Sequence, residues 1–255
     1  MTPLVVSAFA LAGLMIGSFL NVCIYRLPRR ESIVWPASHC TACNRPLAWF
    51  ENMPVIGWLA LRGRCRTCGS PISVMYPLVE VTTGVVFAGG ALVYGLSPLL
   101  FVRLAFACAL IVLFVIDLQH RILPNVITLP GIAAGFVASV FLPPGWLSSA
   151  IGILAGGGIL FAIAEAYYRL RGIEGLGMGD VKMLAMIGAV LGWPLMLLTL
   201  VLASFAGSVV GVGLMASGRG GMQAALPFGT FLALGALVAA VAGDPILSWY
   251  LAFYR

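Results

Sequence analysis

The chain has 255 residues, of which 62% are hydrophobic and only 9% are charged, and its mean hydropathy is +1.09. Soluble domains carry about 25% charged residues, so this composition excludes an ordinary soluble protein and predicts an integral membrane protein in contact with lipid. The net charge of +6 does not indicate nucleic-acid binding, because the basic residues follow the membrane topology described below.

Eight apolar runs predict an all-α polytopic membrane protein, since a helix needs about 20 apolar residues to cross a bilayer. The first run has neither a preceding basic region nor a small-x-small cleavage site, so we expect a retained helix rather than a signal peptide. Glycines inside the runs, such as Gly156-Gly157-Gly158, either let helices approach closely or have no special interface role. The predicted crossings are residues 4–25, 76–95, 98–118, 125–142, 148–168, 180–192 (the shortest), 195–216 and 227–250.

The basic residues predict the orientation, because cytoplasmic loops of membrane proteins carry an excess of Lys and Arg. If the segment between the first two runs is cytoplasmic, both termini lie outside, and only Arg103 and Arg255 of the 14 basic residues share that side. The predicted cytoplasmic set is Arg26, Arg29, Arg30, Arg45, Arg62, Arg64, Arg66, Arg121, Arg169, Arg171, Lys182 and Arg219.

Four cysteines in the first loop predict a metal site. Cys40 and Cys43 form one C-x-x-C pair, Cys65 and Cys68 form another, and 21 residues separate the pairs. Two such pairs complete a tetrahedral four-sulfur zinc site, whose role is structural because no coordination position stays open. The alternatives are two disulfides or free thiols, and the predicted cytoplasmic side argues against disulfides. We therefore divide the chain into a first transmembrane helix (1–25), a cytoplasmic zinc-binding loop domain (26–75) and a multi-helix membrane domain (76–255).

Two aspartates lie at the ends of apolar runs, in which charged residues are few. Asp117 follows the third run, and Asp180 closes the sequence Gly177-Met-Gly179-Asp180 before the sixth. An ionisable group at the centre of a membrane helix costs about 2.5–3.5 kcal/mol, so each aspartate is a functional-site candidate. Both fall at the predicted cytoplasmic edge. The alternative for either one is a boundary residue near the lipid head groups.

A carboxylate pair is the catalytic part of an aspartic protease. One carboxylate takes a proton from water, and the other, protonated, donates to the scissile carbonyl. We expect Asp180 to be the base, because it begins a helix whereas Asp117 ends one. Gly177 and Gly179 would permit a close approach of substrate backbone or unusual dihedral angles beside it. Glu80, at the start of the second run, either contacts the cysteine loop or the catalytic region, or is an acid favoured by the helix dipole.

In combination these motifs resemble the bifunctional type IV prepilin peptidases over about residues 13–190. The N-terminal segment 17–28 is similar to that family's first signature, and the two C-x-x-C pairs and the segment 71–80 follow in the same order. The sequences Asp117-Leu-Gln-His-Arg-Ile-Leu-Pro124 and Gly177-Met-Gly-Asp-Val-Lys182 complete the match. The last two crossings match only as apolar helices.

The resemblance implies a bacterial inner-membrane enzyme of type IV pilus or type II secretion systems. Such enzymes cleave the basic leader of prepilins and pseudopilins at the cytoplasmic face and then methylate the new N-terminal amine with S-adenosylmethionine. The family's catalytic aspartates correspond to Asp117 and Asp180, and its metal-binding cysteines to the four in the loop. No glycine-rich Rossmann turn follows a strand pattern, so the cofactor-binding residues are not predicted, and the oligomeric state stays open.

Two other functions remain as alternatives. One is a G-x-G-D intramembrane aspartyl protease without methyltransferase activity, which the cysteine loop and the N-terminal signature disfavour. The other is a non-enzymatic transporter or membrane scaffold with a zinc loop for partner docking. A transporter is expected to show internal repeats or broken helices around a midplane charge, and a scaffold has no need of two aspartates at one edge.

Overall fold

A computed structural model describes residues 2–172, 175–218 and 226–253, so Arg219 and Arg255 of the topology prediction lie outside the described residues. The all-α prediction is confirmed, since each predicted crossing is a helix and the described ranges contain no strand. The helices are α1 (Pro3–Arg26), α2 (Ile56–Ala60), α3 (Met75–Tyr94), α4 (Pro98–His120), α5 (Asn125–Phe141), α6 (Trp146–Arg171), α7 (Met178–Leu191), α8 (Trp193–Ala216) and α9 (Phe228–Ala252), with 3₁₀ turns at Leu27–Arg29 and Trp49–Asn52.

Six of these helices, α1, α3, α4, α6, α8 and α9, are long and apolar enough to cross a membrane, as expected of a multi-pass protein. The helix α7 has 14 residues, and at 1.5 Å per residue it is about 21 Å long, shorter than a hydrocarbon core of about 30 Å. Its residues from Met183 to Leu191 are all buried. Neighbouring helices therefore shield α7 from lipid, which explains how so short a helix is accommodated.

The first compact unit spans Met1–Val112, and in it α3 packs along α1. A side chain added at Gly17 of α1 would lie 2.7 Å from the Cα of Glu80, so the two helices touch through backbone. The Asn21 side chain donates a hydrogen bond to the Tyr76 carbonyl at 3.0 Å. At the end of α1, buried Arg26 donates to the carbonyls of Ser32 and Pro36 at 2.9 and 2.7 Å. The loop is thereby fixed to the helices at its start.

The second compact unit spans Leu113–Arg255 and is built around α7, which contacts α5, α6, α8 and α9. Gly152 of α6 faces Gly188 of α7, and a side-chain carbon added at Gly152 would lie 2.5 Å from the Gly188 carbonyl oxygen. Ser149 donates a hydrogen bond from α6 to the Ala189 carbonyl at 2.8 Å. These contacts fix α7, which carries Asp180, at its end remote from that residue.

Gly156-Gly157-Gly158 of α6 is expected either to permit close helix contact or to have no special interface role, and both cases occur within the triplet. A side-chain carbon at Gly156 would lie 2.8 Å from the Leu184 carbonyl oxygen of α7, whereas one at Gly158 would meet nothing within 4 Å. Gly156 therefore permits a close helix contact, and Gly158 has no such role.

Candidate active site

Asp117 lies in the last turn of α4 and is 5% exposed. One of its oxygens, Oδ2, accepts two hydrogen bonds from Thr230, from the backbone amide at 2.7 Å and from the hydroxyl at 3.0 Å. Thr230 is the third residue of α9, where backbone amides have no acceptor within the helix. The end of α4 and the beginning of α9 therefore meet at this carboxylate.

Asp180 is the third residue of α7. Its Oδ1 is buried and has no hydrogen-bond partner among the described residues, and its charge interacts with that of Asp117. The Leu123 side chain lies between the residues around Asp180 and those around Asp117. Side-chain carbons added at Gly179, next to Asp180, and at Gly229, next to Thr230, would both lie 2.9 Å from atoms of the Leu123 side chain. The structure thus brings the two predicted aspartates to one end of the second unit.

The two motif glycines stand where space is short. Gly177 has ordinary extended dihedrals, with φ −75° and ψ 140°, and a side-chain carbon there would lie 3.3 Å from Oδ2 of Asp180. Gly179 lies against the Leu123 side chain. Glycine suits these two positions because space for a side chain is short, and not because of an unusual dihedral angle. Close approach of a substrate at the same place stays a prediction.

The surroundings of Asp117 alter the argument about which aspartate is the base. The argument from sequence considered only the end of the helix on which each aspartate lies. The structure places the N-terminus of α9 and two hydrogen-bond donors beside Asp117. Hydrogen bonds to a carboxylate favour its ionised form. Sequence reasoning singled out neither Thr230 nor Gly229, and it included Leu123 only as part of the motif that begins at Asp117. The one local sign of a special role for Thr230 is the sequence Pro227-Phe-Gly-Thr230 at the start of the last apolar run. This sequence does not indicate which residue Thr230 contacts.

The four loop cysteines lie together in the first unit, with all four sulfurs within 4.8 Å of one another. The two C-x-x-C segments form the same turn. The backbone carbonyl of Cys40 accepts a hydrogen bond from the Asn44 amide, and the backbone amide of Cys40 donates to the Arg45 carbonyl. The backbone of Cys65 makes the same two bonds, with the Gly69 amide and the Ser70 carbonyl. Asn44 and Gly69 both have positive φ, 56° and 69°, which such a tight turn requires. The sequence alone gave two pairs, and the structure joins them in one cluster.

The chemistry of the cluster suits a metal ion. All six cysteines of the chain are described, and none forms a disulfide. The backbone amides of Cys43 and Ala42 lower the pKa of the Cys40 thiol to about 6, which favours the metal-binding thiolate at this cysteine, whereas burial and the neighbouring cysteine sulfurs raise the pKa of Cys43 to about 11. The distance between the sulfurs of Cys40 and Cys68 is 3.9 Å. Zinc–sulfur bonds of about 2.3 Å in a tetrahedron require sulfur–sulfur distances of about 3.8 Å.

A cavity of about 310 Å³ lies beside this cluster in the first unit. Its wall contains Glu80, whose Oε2 accepts a hydrogen bond from the Val55 amide at 2.8 Å. The first alternative for Glu80, contact with the cysteine loop, is therefore what the structure shows. Val55 has φ 61°, a strained conformation for a β-branched residue, and the hydrogen bond that its amide donates to Glu80 holds it in place. Six side chains that surround the cavity are Asn21, Tyr25, Glu51, Trp58, Tyr76 and Glu80.

A second buried carboxylate, Glu51, belongs to the same wall. It accepts hydrogen bonds from Arg45 at 2.7 Å and from the Ala48 amide at 2.8 Å. The Arg45 guanidinium lowers the pKa of Glu51 below its ordinary value. Glu80, by contrast, has only the Val55 amide and the Ser18 hydroxyl as partners and forms no ion pair within the described chain.

Comparison with known proteins gives the relatives of this chain. Residues 11–94 match the bacterial peptidase A24 N-terminal domain, and residues 104–212 match the type IV leader peptidase family. A prepilin leader peptidase/N-methyltransferase of Pseudomonas putida is 37% identical over 92% of this chain and 89% of its own length. The chain belongs to the type IV leader peptidase family.

Two further relatives are also named prepilin leader peptidase/N-methyltransferase. The Aeromonas hydrophila protein is 37% identical over 94% of this chain and 92% of its own length. The Myxococcus xanthus protein is 43% identical over 86% of this chain and 66% of its own length. No solved structure matches the chain significantly. The matched segments contain both aspartates and all four loop cysteines, whereas Thr230 lies beyond them.

Proposed function

We propose that this protein is a membrane aspartic endopeptidase that removes the basic leader of prepilins and pseudopilins and then N-methylates the new N-terminal residue with S-adenosylmethionine. The observation that carries the proposal is that the surroundings of Asp117 and of Asp180 share the Leu123 side chain at one end of the second unit in a chain of the type IV leader peptidase family. A protease without methyltransferase activity is less well supported, because the relatives are named for both activities.

The chemistry we propose is acid–base hydrolysis by the two catalytic aspartates. Asp117, with two donors on its Oδ2, serves as the carboxylate that takes a proton from the attacking water. Asp180, whose Oδ1 has no donor among the described residues, carries the proton given to the scissile carbonyl oxygen. When the hydrated intermediate collapses, the carbon–nitrogen bond breaks, the leaving nitrogen takes the proton that Asp117 had accepted from water, and a hydroxyl of the intermediate returns a proton to Asp180. The products are the leader's carboxyl group and a new amine, and both aspartates regain their starting states. Repulsion between close carboxylates keeps one proton on the pair.

The proposed substrate has a basic leader followed by an apolar helix. With twelve of the 14 basic residues on the cytoplasmic side, the active-site end of the second unit faces the cytoplasm of a bacterial inner membrane. The leader would then remain in the cytoplasm, while the pilin helix lies in lipid beside the enzyme. Prepilins of pili and pseudopilins of secretion systems share this chemistry.

For the loop domain at 26–75 we propose a structural zinc ion held by Cys40, Cys43, Cys65 and Cys68. The support is the single four-sulfur cluster and a sulfur–sulfur distance close to that of a zinc tetrahedron. Cys65 is the only hydrophobic residue of the loop that is buried, so metal binding supplies folding free energy that the loop lacks in a core of its own. Purified protein should contain about one zinc per chain, and Cys65→Ser should lose it. Cys108→Ser, which changes a cysteine outside the cluster, is the control, and equal zinc content in both variants would contradict the proposal.

The cavity beside the cysteine cluster is our candidate for the methyl donor. S-adenosylmethionine supplies an electrophilic methyl group on a positively charged sulfonium. The volume of the cavity, about 310 Å³, falls within the range of small-molecule sites, about 300–1,000 Å³. Glu80 offers the cavity a buried carboxylate that forms no ion pair within the described chain. Such a carboxylate favours a cationic ligand, and aromatic side chains such as Trp58 offer a surface for a base.

Binding of S-adenosylmethionine, measured calorimetrically without acceptor peptide, tests that assignment. Glu80→Gln should bind at least about 10-fold more weakly, since a buried charge-assisted contact is lost, and should still cleave prepilin. Glu165→Gln, which changes an exposed carboxylate paired with Arg169, should bind normally. Unchanged binding in Glu80→Gln would remove the cavity as the donor site.

The decisive experiment for the function uses purified protein in detergent or lipid with a synthetic prepilin and S-adenosylmethionine. Mass spectrometry of the product should show loss of the leader and gain of one methyl group. Asp117→Asn and Asp180→Asn should each abolish cleavage and should still methylate a peptide supplied already cleaved. Cleavage that survives in either variant would overturn the two-aspartate mechanism, and cleavage without methylation in the wild type would leave a peptidase only.

A further inference from the structure

Asp117 is held by a residue that lies outside both matched family segments. Thr230 donates to it twice, and both hydrogen bonds end on the same oxygen, Oδ2. Thr230 is 6% exposed, so the contact is shielded from competing solvent. The other carboxylate oxygen takes no part in this contact.

We infer that Thr230 is a positioning residue of the active site: it fixes the orientation of the Asp117 carboxylate and stabilises its negative charge. The inference rests on the proposed peptidase function. The physical reason is that an N-terminal backbone amide of α9 brings the positive end of the helix dipole to the carboxylate, and the hydroxyl adds a second donor at a buried carboxylate.

The neighbours of this contact leave little freedom for another arrangement. A side-chain carbon added at Gly229 would lie 3.0 Å from Oδ2 of Asp117 and 2.9 Å from the Leu123 side chain. The same Leu123 side chain lies against Gly179 of the Asp180 motif. The Thr230 contact is thus packed against the segment that presents the second aspartate, so a displacement of one carboxylate affects the position of the other.

Neutral donors carry this role, because α9 brings no charge to the site. Its first turn reads Phe228-Gly-Thr-Phe231. The charged groups that act on Asp117 are Asp180 from α7 and Arg121 from the turn after α4. Asp180 repels a second negative charge, and Arg121 is exposed. Thr230 is therefore the buried source of stabilisation for an ionised Asp117.

Two substitutions at one position separate positioning from packing. Thr230→Val keeps the shape and the backbone amide but removes the hydroxyl, and Thr230→Ser keeps the hydroxyl. Thr199→Val is the matched control, since Thr199 is also fully buried and loses only a bond to the Leu195 carbonyl of its own helix. Should the valine variant fail to accumulate, Thr230→Ala makes the same comparison.

Loss of one hydrogen bond to a charged group predicts a fall in kcat of about 10-fold or more in Thr230→Val. KM should stay within about two-fold of wild type, because the contact is made to the reacting group rather than to the substrate. Thr230→Ser should restore most of kcat, and methylation of a peptide supplied already cleaved should be normal in all variants.

The inference is overturned if kcat of Thr230→Val equals that of wild type, if Thr230→Ser is as impaired as the valine variant, or if Thr199→Val loses as much. These outcomes differ from failure of the proposed function, which would appear as a wild-type protein unable to cleave prepilin. In that case the role of Thr230 falls with the function.

Discussion

Gly152 and Gly158 lie six residues apart in the same helix, α6, and the structure predicts opposite results when each is changed to alanine. A side-chain carbon at Gly152 would lie 2.5 Å from the Gly188 carbonyl oxygen of α7, whereas one at Gly158 would meet nothing within 4 Å. Ordinary contact begins near 3.4 Å, so Gly152→Ala requires the two helices to separate by about 0.9 Å.

The magnitude follows from that separation. Overpacking of this kind costs about 1–3 kcal/mol of stability, against a gain of about 1 kcal/mol from replacing glycine by alanine in a helix. Gly152→Ala should therefore lower the thermal midpoint in detergent, and Gly158→Ala should leave it unchanged or raise it. Since α7 carries Asp180, a displacement near 1 Å should reduce prepilin cleavage by up to about 100-fold.

The assay compares thermal midpoints and cleavage rates of the two variants in the same detergent, with methylation of an already cleaved peptide as the internal control. We expect methylation to survive in both, because the proposed donor site lies in the first unit. Equal midpoints and equal cleavage in Gly152→Ala and Gly158→Ala would refute the close contact between α6 and α7.

Leu123→Ala should reduce cleavage about 10-fold, because a gap opens beside both aspartates, while Leu118→Ala, at an exposed position of α4, should not; equal rates would contradict the role of Leu123. Arg26→Lys should destabilise the first unit by about 1–3 kcal/mol, since carbonyls at Ser32 and Pro36 lose their donor, and an unchanged thermal midpoint would argue against it. The lowered pKa of Glu51 contributes stability that is present above its ordinary value of 4.5 and is lost as pH falls through the lowered value. Glu51→Gln should therefore flatten the acid side of the curve of thermal midpoint against pH, and an unchanged curve would exclude this cause.

The sequence alone determined the class of the protein and most of its helices. Continuous apolar runs can only be helices in a bilayer, because every backbone polar group must be satisfied within the segment. Asp117, Asp180 and the four loop cysteines were recognisable one by one, since charge in an apolar run and paired C-x-x-C motifs are rare local signals. The catalytic role of the aspartates and zinc binding by the cysteines remain predictions for the experiments above.

Only the tertiary structure decided which residues meet. The α9 N-terminus reaches Asp117 across 113 residues of chain, and nothing in the local pattern around Thr230 specifies that partner. The same holds for Glu80 and Val55, and for Gly152 and Gly188. Local sequence fixes helix formation and membrane insertion through hydropathy, whereas the choice among helix partners depends on close backbone packing and buried hydrogen bonds between segments distant in sequence. The tertiary structure also adds Thr230 to the comparison of the two aspartates, which from the sequence considered only the helix that each one belongs to. Which of the two is the base stays a prediction.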